Sequence, residues 1–105
     1  MSGRMARNKG AAGERELAKI LSDELGIEVK RKLGQARDGG DDLQIGKFHL
    51  EVKRREALRL DDWCEQVEGA SPPGEWPVVV YRRNGQPWRA VVPLALLIKA
   101  IREEM

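Results

Sequence analysis

The stretch "GGDDLQIGKFHLEVKRRE", residues 39–56, holds two adjacent aspartates, a short apolar segment, a Gly-Lys pair, a second alternating segment and then Glu-Val-Lys. "DLQI" and "FHLEVKR" alternate with the period of two that marks half-buried strands, and a two-residue link with glycine first suits a tight hairpin turn. With Gly46-Lys47 as that turn, Ile45 faces Phe48, Gln44 faces His49, Leu43 faces Leu50 and Asp42 faces Glu51. Alternation then puts Leu43, Ile45, Phe48, Leu50 and Val52 on a core face. Asp42, Gln44, His49, Glu51, Lys53 and Arg55 take the other face. Asp42 and Glu51 are directly opposed, with Cβ atoms roughly 5 Å apart. Like charges so placed repel, and they make sense with a cation between them. A hard divalent ion such as Mg²⁺ takes carboxylate and carbonyl oxygens while keeping several waters. Asp41, one residue off, pairs with Val52 and points toward the core face, or lies in the loop.

Upstream, residues 1–8 read as a loose basic arm, and a helix is expected from about Asn8 to Leu25, with Leu17, Ile20, Leu21 and Leu25 on one stripe and Gly26 as its C-cap. Taking about 100° per residue, Glu14 falls roughly 60° from Leu17, on the apolar stripe. An inward carboxylate is costly unless it is paired or bound to metal; near a helix start it is also favoured by the dipole. "GIEVKRKLG" reads as a strand and "GQARDGGDD" as a polar, Gly-rich loop.

Downstream, Asp61 or Asp62 can N-cap a helix through "WCEQVEGA", with Trp63, Val67 and Ala70 on one face and Gln66 on the inward side, where its amide could position a water or a phosphate. "VVVYRR" and "QPWRAVV" flank Asn84-Gly85, a strong hairpin signal. Pro93 fits the first position of a last helix whose Leu94, Leu97, Ile98 and Ile101 share a face. The order α-β-β-β-α-β-β-α describes an α+β fold around one sheet, in a single domain spanning residues 1–105.

The chain has 105 residues, so its core is small and a homodimer is a reasonable expectation. Its one cysteine, Cys64, excludes an internal disulfide and points to a reducing compartment. One cysteine and one histidine make a poor zinc site. The basic N-terminus lacks the apolar segment of a signal peptide, and "AVVPLALLI" is too short and proline-broken to span a membrane, so a soluble, cytoplasmic protein is expected. Residues 1–60 carry 14 Lys/Arg against 10 Asp/Glu, the rest 5 against 7. The basic residues cluster around Arg4–Lys9, Lys30–Lys32, Lys53–Arg55 and Arg82–Arg83, as phosphate binding requires. Lys53 shares the face of Glu51, and an ammonium beside a metal site can orient water and stabilise charge developing on phosphate.

"DDLQIGKFHLEVK" resembles the metal-binding hairpin of the PD-(D/E)XK nuclease superfamily: an aspartate, a turn, then E-x-K on the next strand. "KGAAGEREL" resembles the K-G-x-x-x-E-R segment that opens the archaeal-type Holliday junction resolvases and their short phage and bacterial relatives. The resemblance covers residues 8–92 and implies a restriction-endonuclease-like αβββαβ core with a mixed central sheet flanked by helices, here with an extra C-terminal helix. It implies a catalytic set of Glu14, Asp42, Glu51 and Lys53, with Gln66 matching a glutamine many members carry on the next helix. It also implies Mg²⁺, with Mn²⁺ as a substitute, held by Glu14, Asp42, Glu51 and the Val52 carbonyl. Two departures stand out: Asp41 occupies a position often held by proline, and the Asp42-to-Glu51 spacing is shorter than in typical archaeal resolvases.

The expected activity is hydrolysis of DNA phosphodiester bonds. Lys9, Arg15, Arg31, Arg37, Arg54, Arg55 and Arg82 are candidate backbone contacts, which position a duplex without reading its sequence. Recognition by shape fits a branched substrate such as a four-way junction, whose two symmetric cuts call for a twofold dimer. The alternatives are the same chemistry with nicking, flap or nonspecific duplex specificity, and a DNA-binding module without catalysis.

Overall fold

The computed structural model describes the backbone of residues 2–31 and 41–105, with side chains from Ala12 onward except at 30, 31 and 41. The elements are α1 (Ser2–Leu25), β1 (Lys30–Arg31), β2 (Asp41–Ile45), β3 (Phe48–Arg54), α2 (Leu60–Ala70), β4 (Trp76–Arg82), β5 (Arg89–Val91) and α3 (Leu94–Glu104), in the expected order. The expected extension of the first strand to Leu33 and most of the Gly-rich loop lie outside the described residues.

The hairpin of β2 and β3 has the anticipated register, with Asp42 opposite Glu51, Leu43 opposite Leu50 and Asp41 opposite Val52. Gly46 supplies the left-handed backbone its turn requires, at φ 54°. The sheet runs β1-β2-β3-β4-β5; β3 and β4 are parallel and the other neighbours antiparallel. A parallel pair needs a crossover, and α2 supplies it between β3 and β4.

Each face of the sheet has its own apolar cluster. Leu43, Leu50, Val52, Val78 and Val80 pack beneath Leu17 of α1, with Leu21, Trp88 and Leu96 alongside. On the opposite face Val79 packs with Trp63 and Val67 of α2, flanked by Cys64, Tyr81 and Val91. β3 therefore turns Leu50 and Val52 toward α1, and His49, Glu51 and Lys53 toward the α2 side.

Several local expectations are corrected. α1 begins at Ser2, so from there the stretch expected to be a loose arm is its first turns; Ala6, Ala11, Ala12 and the intervening Arg and Lys favour helix, and no proline interrupts them. α2 starts at Leu60, which puts Asp61 and Asp62 in its first turn, where they complement the helix dipole; Arg59 holds the N-cap position without a side-chain cap. Ala70 is exposed. β4 and β5 pair Tyr81 with Arg89, one register step from a two-residue Asn84-Gly85 hairpin. The link is a longer loop, with the Gln86 N–H donating to the Arg83 carbonyl at 3.1 Å and Gly85 at φ 72°. Pro93 is the N-cap of α3 rather than its first residue, and no residue of that helix is buried.

Candidate active site

A row of polar side chains lies buried on the α2 side of β2 and β3. Asp42 is 7% exposed, His49 1%, Glu51 1% and Lys53 4%. Strand alternation alone brings them together: His49, Glu51 and Lys53 are every second residue of β3, and Asp42 is the direct partner of Glu51. Lys53 Nζ lies 3.6 Å from Glu51 Oε2. His49 Nε2 lies 3.0 Å from Asp42 Oδ2, a diagonal contact across the hairpin. On the far side of the ring, Nδ1 is 3.6 Å from Oε1 of Glu75, the residue just before β4.

Burial and the facing Asp42 carboxylate push the Glu51 carboxyl up to about 7, against the opposing pull of Lys53. Among the described residues, Asp42 Oδ1 and Glu51 Oε2 are buried without a hydrogen bond. Buried carboxylate oxygens without donors are costly, and a hard divalent cation is the partner that would satisfy both. The donor set therefore fits Mg²⁺ or Mn²⁺. Mg²⁺ is commonly held by one or two carboxylates plus waters, so two are enough to seat it.

The third expected carboxylate comes from the other side of the sheet. Glu14 is buried at 1% exposure, as its place on the apolar stripe anticipated. It follows Gly13, where α1 crosses β3 so closely that an added Cβ would lie 2.9 Å from Arg54 Cβ. Among the described residues, no group of three His, Cys, Asp or Glu side chains converges to hold a metal ion. Val52 has its side chain in the α1-side core, and its backbone lies between Asp41 of β2 and Val80 of β4.

Gln66 is exposed, contrary to its expected inward position. The inward stripe of α2 comprises Trp63, Val67, Leu60 and Cys64. At about 100° per residue these span roughly 0° to 100° from Trp63, while Gln66 lies about 60° to the other side.

A protein-family model described as "Phage putative PDDEXK endonuclease" matches residues 5–104. The chain belongs to this PD-(D/E)XK endonuclease family. No curated protein and no solved structure matches it. Membership makes the chain part of a nuclease family acting on DNA, and its mixed sheet between helices agrees with a restriction-endonuclease-like fold. Among the described residues, no helix is long and apolar enough to cross a membrane.

The endonuclease's candidate DNA contacts divide sharply. Arg15 is exposed. Arg55 is half-buried, with Nη1 donating to the Arg54 carbonyl at 3.4 Å, and Arg54 reaches Asn84 Oδ1 through Nη2 at 3.3 Å. Arg37 and the side chains of Lys9 and Arg31 lie outside the described residues. Arg82 is committed elsewhere: Nε and Nη2 grip the two Glu16 oxygens at 2.9 and 3.1 Å. Trp88 Nε1 donates to the same carboxylate at 2.8 Å, and the Arg82 guanidinium sits 5.6 Å from the Trp88 ring centroid. Bidentate pairing and the ring leave little of this guanidinium for phosphate. Sequence reading missed Glu16 and Trp88 because 66 and 72 residues of chain separate them from their partners.

Proposed function

We propose that this chain is a divalent-metal-dependent DNA endonuclease that acts as a homodimer on branched DNA, a four-way junction above all. One observation carries the chemistry: two facing, buried carboxylates with bare oxygens stand beside a buried lysine in a member of an endonuclease family. Asp42 and Glu51, with Glu14 and the Val52 carbonyl as further donors, are the residues to hold Mg²⁺ or Mn²⁺. Such an ion, when bound, polarises a phosphoryl oxygen and lowers the pKa of its water.

The chain's own groups do the rest. Asp42 and Glu51 project from directly paired positions of opposing strands, which sets their carboxylates side by side. Lys53 sets a positive charge beside Glu51, where it orients the attacking water and stabilises charge on phosphorus-bound oxygen. Arg15 and Arg55 hold the backbone of the nucleic acid. Gln66, exposed on α2, is better placed to touch nucleic acid than to reach the carboxylate pair.

The dimer reading is supported by α3, whose stripe of Leu94, Leu97, Ile98 and Ile101 is 40–69% exposed. Exposed apolar surface of this kind is a common mark of an interface. Light scattering on the purified protein should give twice the chain mass, and Ile98→Glu should return it to one; a monomer at micromolar concentration would remove the dimer from the proposal.

Cleavage of a fixed four-way junction, a flap and a linear duplex in Mg²⁺ tests the substrate. Preference for the junction is expected. Equal cutting of all three would sink the junction reading and leave a nuclease of broader specificity, and no cutting of any would leave a binding module.

A further inference from the structure

His49 is the single histidine of the chain, nearly inaccessible, and wedged between two carboxylates. Neither the E-x-K pattern nor the cation between Asp42 and Glu51 calls for it. We propose that His49 is a positioning residue: it engages Oδ2 of Asp42 and so reserves Oδ1 for a divalent cation shared with Glu51. The role depends on Asp42 and Glu51 being the cation ligands proposed above.

Three observations carry it. First, Nε2 is 3.0 Å from Asp42 Oδ2, while Oδ1 of the same carboxylate is buried with no hydrogen bond among the described residues. The two oxygens are thus already distinguished: one is held and the other is bare. Second, the ring's place is set by backbone. His49 and Glu51 are two residues apart on one face of β3, so the strand that presents one ligand also presents the group that orients the other. Third, the His49 ring is 1% exposed, so its surroundings leave it little room to rotate away from Asp42.

The physical need is plain. The terminal torsion of an aspartate is broad, and repulsion from Glu51 would turn the Asp42 carboxylate aside before a cation arrives. A hydrogen bond from a buried, immobile ring removes that freedom. An ionised carboxylate only accepts hydrogen bonds, so Nε2 carries the proton. Groups that hydrogen-bond to a ligating carboxylate typically change metal affinity by roughly 10–100-fold when removed.

The first test needs no variant. With one histidine in the chain, ¹⁵N–¹H spectra of the imidazole report its tautomer without ambiguity. A protonated Nε2 whose signal moves on adding Mg²⁺ is expected; a neutral ring with its proton on Nδ1 would overturn the role. The second test is calorimetric titration of Mn²⁺ into DNA-free protein. Glutamine can set its amide nitrogen near the Nε2 position, whereas leucine fills space without donating. His49→Leu should weaken Mn²⁺ binding roughly 10–100-fold and His49→Gln far less. Equal affinity in both variants and the wild type, or equal loss in both, would overturn the proposal. Asp42→Asn and Glu51→Gln serve as controls. If they bind Mn²⁺ as well as the wild type, the cation-site reading fails and the role of His49 with it. If they lose binding while His49→Leu keeps it, the site stands and the role of His49 alone is rejected. Should His49→Leu not fold, the tautomer of the wild-type ring decides.

Discussion

Asp42 and Glu51 face each other across the β2–β3 hairpin, both nearly inaccessible, and the Glu51 carboxyl is pushed up to about 7 by burial and by its neighbour. Without metal, this pair works against folding once both groups ionise. The folded state holds the Glu51 proton more tightly than the unfolded chain, whose ordinary value is 4.5. Stability from this group is therefore greatest below pH 4.5 and falls as pH rises to about 7, by an amount on the order of 3 kcal/mol. Urea unfolding in EDTA at pH 5 and pH 8 should show Glu51→Gln losing much less stability over that interval than the wild type. Equal losses would mean that the folded protein does not hold the Glu51 proton above the ordinary carboxyl value.

With Glu51 as a ligand of the proposed cation site, the same proton must leave for a cation to bind. Mn²⁺ or Mg²⁺ affinity should rise between about pH 6 and pH 8, with proton release, because ligands bind metal in their deprotonated form. Calorimetry in buffers of different ionisation enthalpy measures the released protons directly. Binding independent of pH would place the cation elsewhere.

Lys53 is buried at 4% exposure with Nζ 3.6 Å from Glu51 Oε2, a position that suits a chemical task. Lys53→Ala should lower cleavage by roughly 10²–10³-fold, the usual cost of losing one preorganised stabilising group. Asp42→Asn should abolish cleavage while DNA still binds. A fluorescence-anisotropy titration beside a single-turnover cleavage assay separates the two; loss of binding in parallel with cleavage would argue against a catalytic role.

Gly13 allows α1 to lie against β3, and a methyl there would meet Arg54 Cβ at 2.9 Å. Arg54 Cβ is fixed by the backbone of β3 and cannot swing away. Gly13→Ala should cost about 1–3 kcal/mol despite alanine's better helix propensity. Because Glu14 is the next residue, cleavage should fall by more than stability alone explains. A thermal midpoint at or above the wild type would show that the helix adjusts freely.

The hairpin was legible because its information is local. A period of two and a two-residue turn fix which side chains face each other, so the Asp42–Glu51 pairing and the burial of Glu14 followed from counting. Where the sequence misled, the reason was equally local. Asn84-Gly85 carries a turn signal, but Gly85 serves a longer loop, which shifts the β4–β5 register by one. Gln66 sits on the flank of α2 away from Leu60 and Cys64, and the sequence around Trp63 does not say on which side the helix docks. The apolar stripe of α3 was visible, yet Leu96 rather than the stripe packs on the core. Contacts such as Glu16 with Arg82 leave no periodic trace.

That last contact gives the sharpest division between structure and binding. Arg82 belongs to a basic pair that suggests phosphate, but its guanidinium is shared between Glu16 and the face of Trp88, tying α1 to β4 and the start of β5. The hydrogen bond from Arg82, helped by Trp88, holds the Glu16 carboxyl below its ordinary value, so the tie is present above that value and is lost on acidification. Arg82→Met should cost about 1.5–3 kcal/mol, the range for hydrogen bonds to a charged group. DNA affinity of the folded variant should keep the wild-type salt dependence. Arg15→Met and Arg55→Met should behave the other way, leaving stability within about 0.5 kcal/mol and lowering the slope of log affinity against log salt by about one each. Anisotropy titrations at several salt concentrations, paired with urea unfolding, measure both quantities. A reduced salt slope for Arg82→Met would restore Arg82 to the nucleic-acid surface.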